Sequence, residues 1–173
     1  VVTDAFPNGG DLSRRFPPED GLSDSYTFDG KEYGTRRVTG AGIYLRHFWS
    51  QWCTFPALFD NPSENSTAYA YTWVYSPKSQ NVGMLVEFQN YSRSANDVPP
   101  PTGCWDYRGS RIWLNDQELL PPDWTNAPDV RSTEIDQGNE NCTARPPLSV
   151  HLDKGWNKVF MKLPVGTFNT PEV

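Results

Sequence analysis

An all-β sandwich is the fold that this sequence predicts, and three observations predict it. Apolar and aromatic side chains alternate with a period of two in several short runs, as they do where a strand face meets a core. Sixteen Pro and thirteen Gly among 173 residues interrupt the chain too often for long helices. Seven Trp, eight Tyr and nine Phe bring large apolar area per side chain, so a hydrophobic fraction of only 36% still fills a core. The length predicts one domain, residues 1–173, that buries roughly 70% of its unfolded surface.

Residues 1–40 are expected to form an irregular wrap, rich in Pro and Gly and poor in strand, with turns at Pro7-Asn8-Gly9-Gly10 and Pro17-Pro18. Inside it, Tyr26 to Tyr33 fits a short hairpin, because Asp29-Gly30 accepts the positive φ angles of a tight turn. The sandwich strands are expected mainly within residues 41–165. Ile43 to Trp52 is the strongest apolar run of the first half and fits either a helical turn or a strand. From Thr67 to Tyr75, Tyr69, Tyr71, Trp73 and Tyr75 share one parity, while Ala68, Ala70, Thr72 and Val74 share the other. That is the pattern of a strand packed on both faces, so Trp73 is expected in the core. Ser76 to Gln80 then turns, and Val82, Met84, Val86 and Phe88 alternate in a second strand, expected to pair antiparallel with the first. Asn96 to Gly103 holds three consecutive prolines from Pro99 and cannot continue a ladder.

Arg111 to Leu120 gives a further hairpin in which Ile112 and Leu114 point inward, Asn115-Asp116-Gln117 turn, and Leu119 returns. After a polar loop from Pro121 to Arg145, Leu148 to Leu152 and Lys158 to Leu163 alternate again, joined by Asp153-Lys154-Gly155-Trp156-Asn157. Val159, Met161 and Leu163 are expected inside, with Lys158 and Lys162 outside. The buried set is expected to include Tyr71, Trp73, Val86, Ile112, Leu114, Val159 and Met161. Short strands between turn-rich loops fit a sandwich of jelly-roll type best.

Composition excludes several functions. The net charge is −6, and the longest basic runs are Arg14-Arg15 and Arg36-Arg37, too little to track a phosphate backbone, so nucleic acid is not an expected partner. No apolar run reaches the roughly 18 residues of a transmembrane helix, and no basic-then-apolar start marks a signal peptide. A chain that starts at Val1 and stops just after a strand is expected to be a piece of a longer protein, with room for one closing strand beyond Val173. Cys53, Cys104 and Cys142 lie far apart without a CxxC, so no zinc knuckle or thioredoxin-type motif forms locally, and buried thiols are expected. His47 and His151 are the only histidines, and structural roles are expected for both. Glu19-Asp20 and Asp116 with Glu118 do not spell out the scattered oxygen ligands of a structural Ca²⁺ site, so neither metal nor other cofactor is expected. Trp49, Trp52, Trp105, Trp113, Trp124 and Trp156 have the chemistry to stack on sugar faces. Trp52, Trp105 and Trp124, in polar loop-like text, are the sugar-binding candidates.

Two segments carry a resemblance. Gly109 to Leu119 is similar to the strand-turn-strand hairpin of galactose-binding-like domains, and Leu152 to Leu163 to their closing hairpin. Ala5 to Gly10 and Phe16 to Glu19 resemble the opening segment of such domains. Over most of the chain, Arg15 to Leu22, Gly40 to Trp49, Ala68 to Asp97 and Gly138 to Val165 resemble the region that follows the catalytic barrel in Bacteroidetes-type glycoside hydrolase family 20 β-N-acetylhexosaminidases. The resemblance implies an exported parent, periplasmic or at the cell surface, that removes terminal N-acetylhexosamine by a substrate-assisted route. That family carries its acid on an adjacent Asp-Glu pair. No Asp-Glu dipeptide occurs in these 173 residues, and no βα alternation builds a barrel, so the chain itself is expected to hold no catalytic residue.

Three readings follow: a non-catalytic accessory domain that packs on or assists the barrel of its own parent chain, a carbohydrate-binding module, and a free-standing hydrolase built on His47 or His151 with Ser and Asp. The first predicts an exposed apolar patch, the second a concave aromatic groove with a polar rim, the third convergent Ser, His and carboxylate in one cleft.

Overall fold

The computed structural model describes residues 2–3, 5–39, 64–86, 88, 103–106, 108–122 and 147–167. These residues are all-β, in antiparallel sheets: β1 Val2–Thr3, β2 Phe6–Pro7, β3 Ser25–Phe28, β4 Lys31–Arg36, β5 Ser66–Ser76, β6 Gln80–Met84, β7 Arg111–Leu114, β8 Gln117–Leu119, β9 Leu148–Leu152 and β10 Gly155–Val165, with one 3-10 turn at Pro17–Glu19. Ile43 to Trp52 and the proline run from Pro99 lie outside the described residues. No helix among the described residues is long and apolar enough to cross a membrane. The chain divides into two compact units, Val1–Tyr71 with Lys162–Val173, and Thr72–Met161. The 11-residue strands β5 and β10 each contribute residues to both units.

In the first unit the strand order is β3-β4-β1-β5-β10, with β2 also pairing β5. The N-terminal segment therefore carries four strands, more than its Pro and Gly content suggests. The Asp29-Gly30 hairpin forms as the sequence predicts: Phe28 faces Lys31 across a two-residue turn whose φ angles are 50° and 74°, values that Asp tolerates and Gly adopts freely. Phe6, paired with Thr67, is fully buried and collects five rings. Tyr33 and Phe16 stack on it at 4.2 and 5.1 Å, and Tyr26, Phe28 and Tyr69 meet it edge-on at 5.9–6.3 Å. Offset and edge-on rings at these distances gain attraction beyond simple area burial. Beside them, buried Asn8 uses its side chain as a clasp, donating to Thr67 Oγ1 at 3.2 Å and Val165 O at 3.1 Å while accepting from Gly10 N at 2.9 Å.

Lys162 corrects the expectation of an outward side chain: it is 1% exposed. A buried ammonium is tolerated only when its three protons are all received, and here they go to Ser13 O at 3.1 Å, Arg14 O at 2.7 Å and Glu19 Oε1 at 2.9 Å. The N-terminal segment thus covers the strand face that period-two reading assigned to solvent. Tyr69 donates its hydroxyl to the same Glu19 oxygen. Burial pushes the Tyr69 phenol far above its ordinary value, and the hydrogen bond to the Glu19 carboxylate pushes it the same way.

In the second unit β5, β10, β7 and β8 form one sheet in that order, and β6 with β9 forms another. Side chains from both meet in one core: Ile112, Leu114, Leu119, Val159 and Met161 from the first sheet, and Val82, Met84, Leu148, Val150 and Leu152 from the second, with Trp105, Val86 and Phe88. The β7–β8 hairpin has the two-residue Asn115-Asp116 turn with φ of 47° and 68°, and Ile112 opposite Leu119. Two pairings differ from expectation. β6 pairs with β9, not β5, and so lies in the other sheet. β9 and β10 are not a hairpin: β10 lies between β5 and β7, so Asp153-Lys154 links one sheet to the other. Cys104, expected to be buried, is exposed. It follows Gly103, whose φ of 80° places a turn at the surface.

Replacing Lys162 by Ala strands a carboxylate that is largely buried, and the expected cost is about 3–5 kcal/mol. The Glu19→Gln, Lys162→Met double variant is expected to recover most of that loss. Urea midpoints of the two variants test this, and equal losses in both would show that the charge is not what matters.

Candidate functional site

The site is built on a turn whose residues leave the chain little choice. Gly155 sits at φ of 107°, a conformation costly for any side chain, and starts β10 directly after the Asp153-Lys154 link. Asn157, fully buried, locks that turn from inside. Its Oδ1 accepts from Asp153 N at 2.9 Å and from Asn115 Nδ2 at 2.7 Å. Its Nδ2 donates to Asp153 O at 2.9 Å and Gly155 O at 3.2 Å, with Val74 O of β5 at 3.4 Å. Both lone pairs and both protons of the amide are used. Asn115 extends the lock, since its backbone N donates to Lys158 O and its Oδ1 accepts from Lys158 N, each at 2.9 Å. The left-handed φ of Asn115 is what turns both groups toward β10.

Trp156, the residue between Gly155 and Asn157, is thereby held outward. It is 66% exposed and meets Tyr75 of β5, 56% exposed, with ring centroids 5.2 Å apart at 64°. Trp73, two residues back on the same side of β5, is 50% exposed. This corrects its expected core position: β5 is buried from Ser66 to Ala70 and again at Ser76, and from Thr72 to Tyr75 it is open. Because Val159 and Met161 point into the core, Trp156, Lys158 and Phe160 share the outer face, and by the same alternation so do Arg111 and Trp113 of β7 and Glu118 of β8. There Phe160 packs on half-buried Trp113 at 5.5 Å, and the Arg111 guanidinium lies 5.3 Å over the same indole while pairing with Glu118. Lys158 pairs with Asp116. The outer face of this sheet is thus an aromatic strip, Trp73-Tyr75-Trp156, beside two ion pairs.

Of the three sugar-binding candidates, Trp52 and Trp124 lie outside the described residues, as do Trp49 and His47. Trp105 is a core residue, not an open platform: it is 5% exposed and donates its indole N–H to Leu119 O at 2.9 Å. The adjacent Asp106 closes the loop by accepting from Arg108 N and Ser110 N at 2.9 Å each and from the Ser110 hydroxyl, which draws Trp105 inward.

A second cluster lies on the outward side of β6–β9. Asn81 and His151 face each other in register, with Asn81 Oδ1 2.8 Å from His151 Nδ1 and Ser79 Oγ 2.7 Å from His151 Nε2. Nucleophile, base and orienting amide have the order that acyl transfer needs. Yet the His151 side chain is 55% exposed, in water rather than in the excluded low-dielectric cleft where such groups gain their power. The carboxylates considered for Ca²⁺ are engaged by other side chains: Glu19 by Lys162 and Tyr69, Asp20 by Arg15, Asp116 by Lys158, Glu118 by Arg111.

No protein-family model, curated protein or solved structure matches the chain.

The frame and the strip make different demands. Asn157→Ala abandons two backbone carbonyls, a backbone N–H and the Asn115 amide, with an expected cost of at least about 2 kcal/mol. Trp156→Ala removes a mostly exposed ring and is expected to stay within about 0.5 kcal/mol of wild type. Denaturant unfolding of both variants checks this separation. A Trp156 loss as large as that of Asn157 would make the ring structural.

Proposed function

We propose that this chain is a non-catalytic accessory domain of an exported β-N-acetylhexosaminidase, acting beside the catalytic barrel of its parent on glycans that end in N-acetylhexosamine. The galactose-binding-like jelly roll, a periplasmic or cell-surface location and independence from any cofactor belong to the same reading. One observation carries it: the most prominent exposed feature of the described residues is an aromatic strip beside two ion pairs, a surface with the chemistry to touch a glycan, whereas the Ser-His-Asn cluster is largely open to water. The resemblance of Arg15 to Leu22, Ala68 to Asp97 and Gly138 to Val165 to the post-barrel region supplies the identity of the parent. The lack of an Asp-Glu dipeptide fits a chain that leaves the chemistry to another domain.

The free-standing hydrolase is the competing reading, and Ser79 with His151 is where it would reside. The 173-residue chain is expected to give no turnover of an aryl N-acetyl-β-glucosaminide or an aryl acetate above the rate of the Ser79→Ala variant. Turnover that Ser79→Ala abolishes would establish an enzyme and end the accessory reading.

A further inference from the structure

We propose that the Trp73-Tyr75-Trp156 strip is a binding site for a neutral oligosaccharide, about two of whose pyranose rings rest their apolar C–H faces on the exposed aromatic surface. That the oligosaccharide is the parent enzyme's own glycan rests on the function proposed above; that the strip takes a neutral sugar chain rests on geometry alone.

Size decides first. An aromatic side chain carries roughly 150–250 Å² of surface, so three that are 50, 56 and 66% exposed offer about 250–450 Å² together. A stable protein interface takes about 800 Å² from each partner, and the strip falls well short of that. It is too small for a second copy of this chain or a neighbouring domain, and it matches a narrow ligand. Shape decides next. Sites for compact apolar ligands are concave and bury most of the ligand. This strip lies on the outer face of a sheet, where a flat ligand can rest one side on the rings and leave the other in water. A sugar ring has that division, with C–H groups on its faces and hydroxyls around its rim.

Length and register follow from the strands. Trp73 and Tyr75 stand about 6.7 Å apart along β5, two residues on one side. Trp156 stands across the ladder on β10, its ring 5.2 Å from that of Tyr75. The two steps run at right angles, so the strip measures roughly 8–9 Å from Trp73 to Trp156, room for about two linked rings. The hydroxyl rim would meet the Lys158–Asp116 and Arg111–Glu118 pairs on the same face. Both pairs join a cation to an anion, so they offer donors and acceptors without net charge, and the whole chain at −6 repels an anionic glycan. The ligand is therefore a neutral chain. Finally Asn157 and Asn115 fix the backbone that carries Trp156 before any ligand arrives, which lowers the ordering cost of binding there.

The test is calorimetric titration of the 173-residue chain with chitohexaose, cellohexaose and a heparin hexasaccharide. The expected result is weak, saturable binding of a neutral hexasaccharide, none of heparin, and at least a tenfold loss in Trp73→Ala and in Trp156→Ala with unchanged melting temperature. Trp156→Phe, which keeps a ring, is expected to retain most of the affinity. Binding of cellohexaose but not chitohexaose would keep the site and remove the hexosaminidase assignment. Binding that neither alanine variant weakens would place the glycan elsewhere and overturn the proposal. So would the absence of binding to both neutral chains, or a self-association that Trp73→Ala abolishes.

Discussion

The buried Asn157 amide is the interaction on which the second unit's surface depends. It sits where the link from β9, the β7–β8 turn and β5 come within reach of one side chain, and it gives each of them a hydrogen bond. An apolar residue there would leave the Asp153 and Gly155 carbonyls without their partner. An unpaired buried polar group costs far more than a made hydrogen bond gains, so the geometry is strongly specified. Outward exposure of Trp156 follows from this, because the residue before a side chain that points fully inward must point out.

The first unit solves a similar problem with charge. Its core is a cluster of rings around Phe6, and next to it Lys162 and Glu19 are taken out of water together. A buried pair of this kind is weak ground for added stability, since two apolar residues would often do as well. What it does is discriminate: only the arrangement that brings Ser13, Arg14 and Glu19 over β10 satisfies the ammonium. Asn8 and Lys162 therefore tie the N-terminal segment to the strands by polar contacts that no hydrophobic count reveals.

The parts of the fold written in local chemistry were legible in the sequence. Asp29-Gly30 and Asn115-Asp116 form the tight turns that their left-handed tolerance allows, and Ile112, Leu114 and Val159 are buried as alternation requires. Strand pairing was not legible, because alternation marks faces and not partners: β6 pairs with β9 in the other sheet, and β10, set between β5 and β7, has no edge left for β9. The strip was hidden for a related reason. Alternation marks two faces but not which of them is covered, so Trp73 reads as core on the same pattern as Tyr69, and of the two Tyr69 alone is buried. Trp105 was misplaced because its polar neighbours suggested a surface loop, while Asp106 spends its carboxylate closing that loop inward. Trp156 carried the better signal, standing between a glycine and an asparagine at the head of a strand.

The proposed site requires a strip that is rigid before it meets a ligand, and nuclear relaxation at the indole N–H groups of Trp73 and Trp156 measures that directly. Locked rings should give order parameters near about 0.85, the value of rigid backbone, in the free protein. Values below about 0.6 for both indoles, with the Asp153 and Lys158 amides equally mobile, would contradict it.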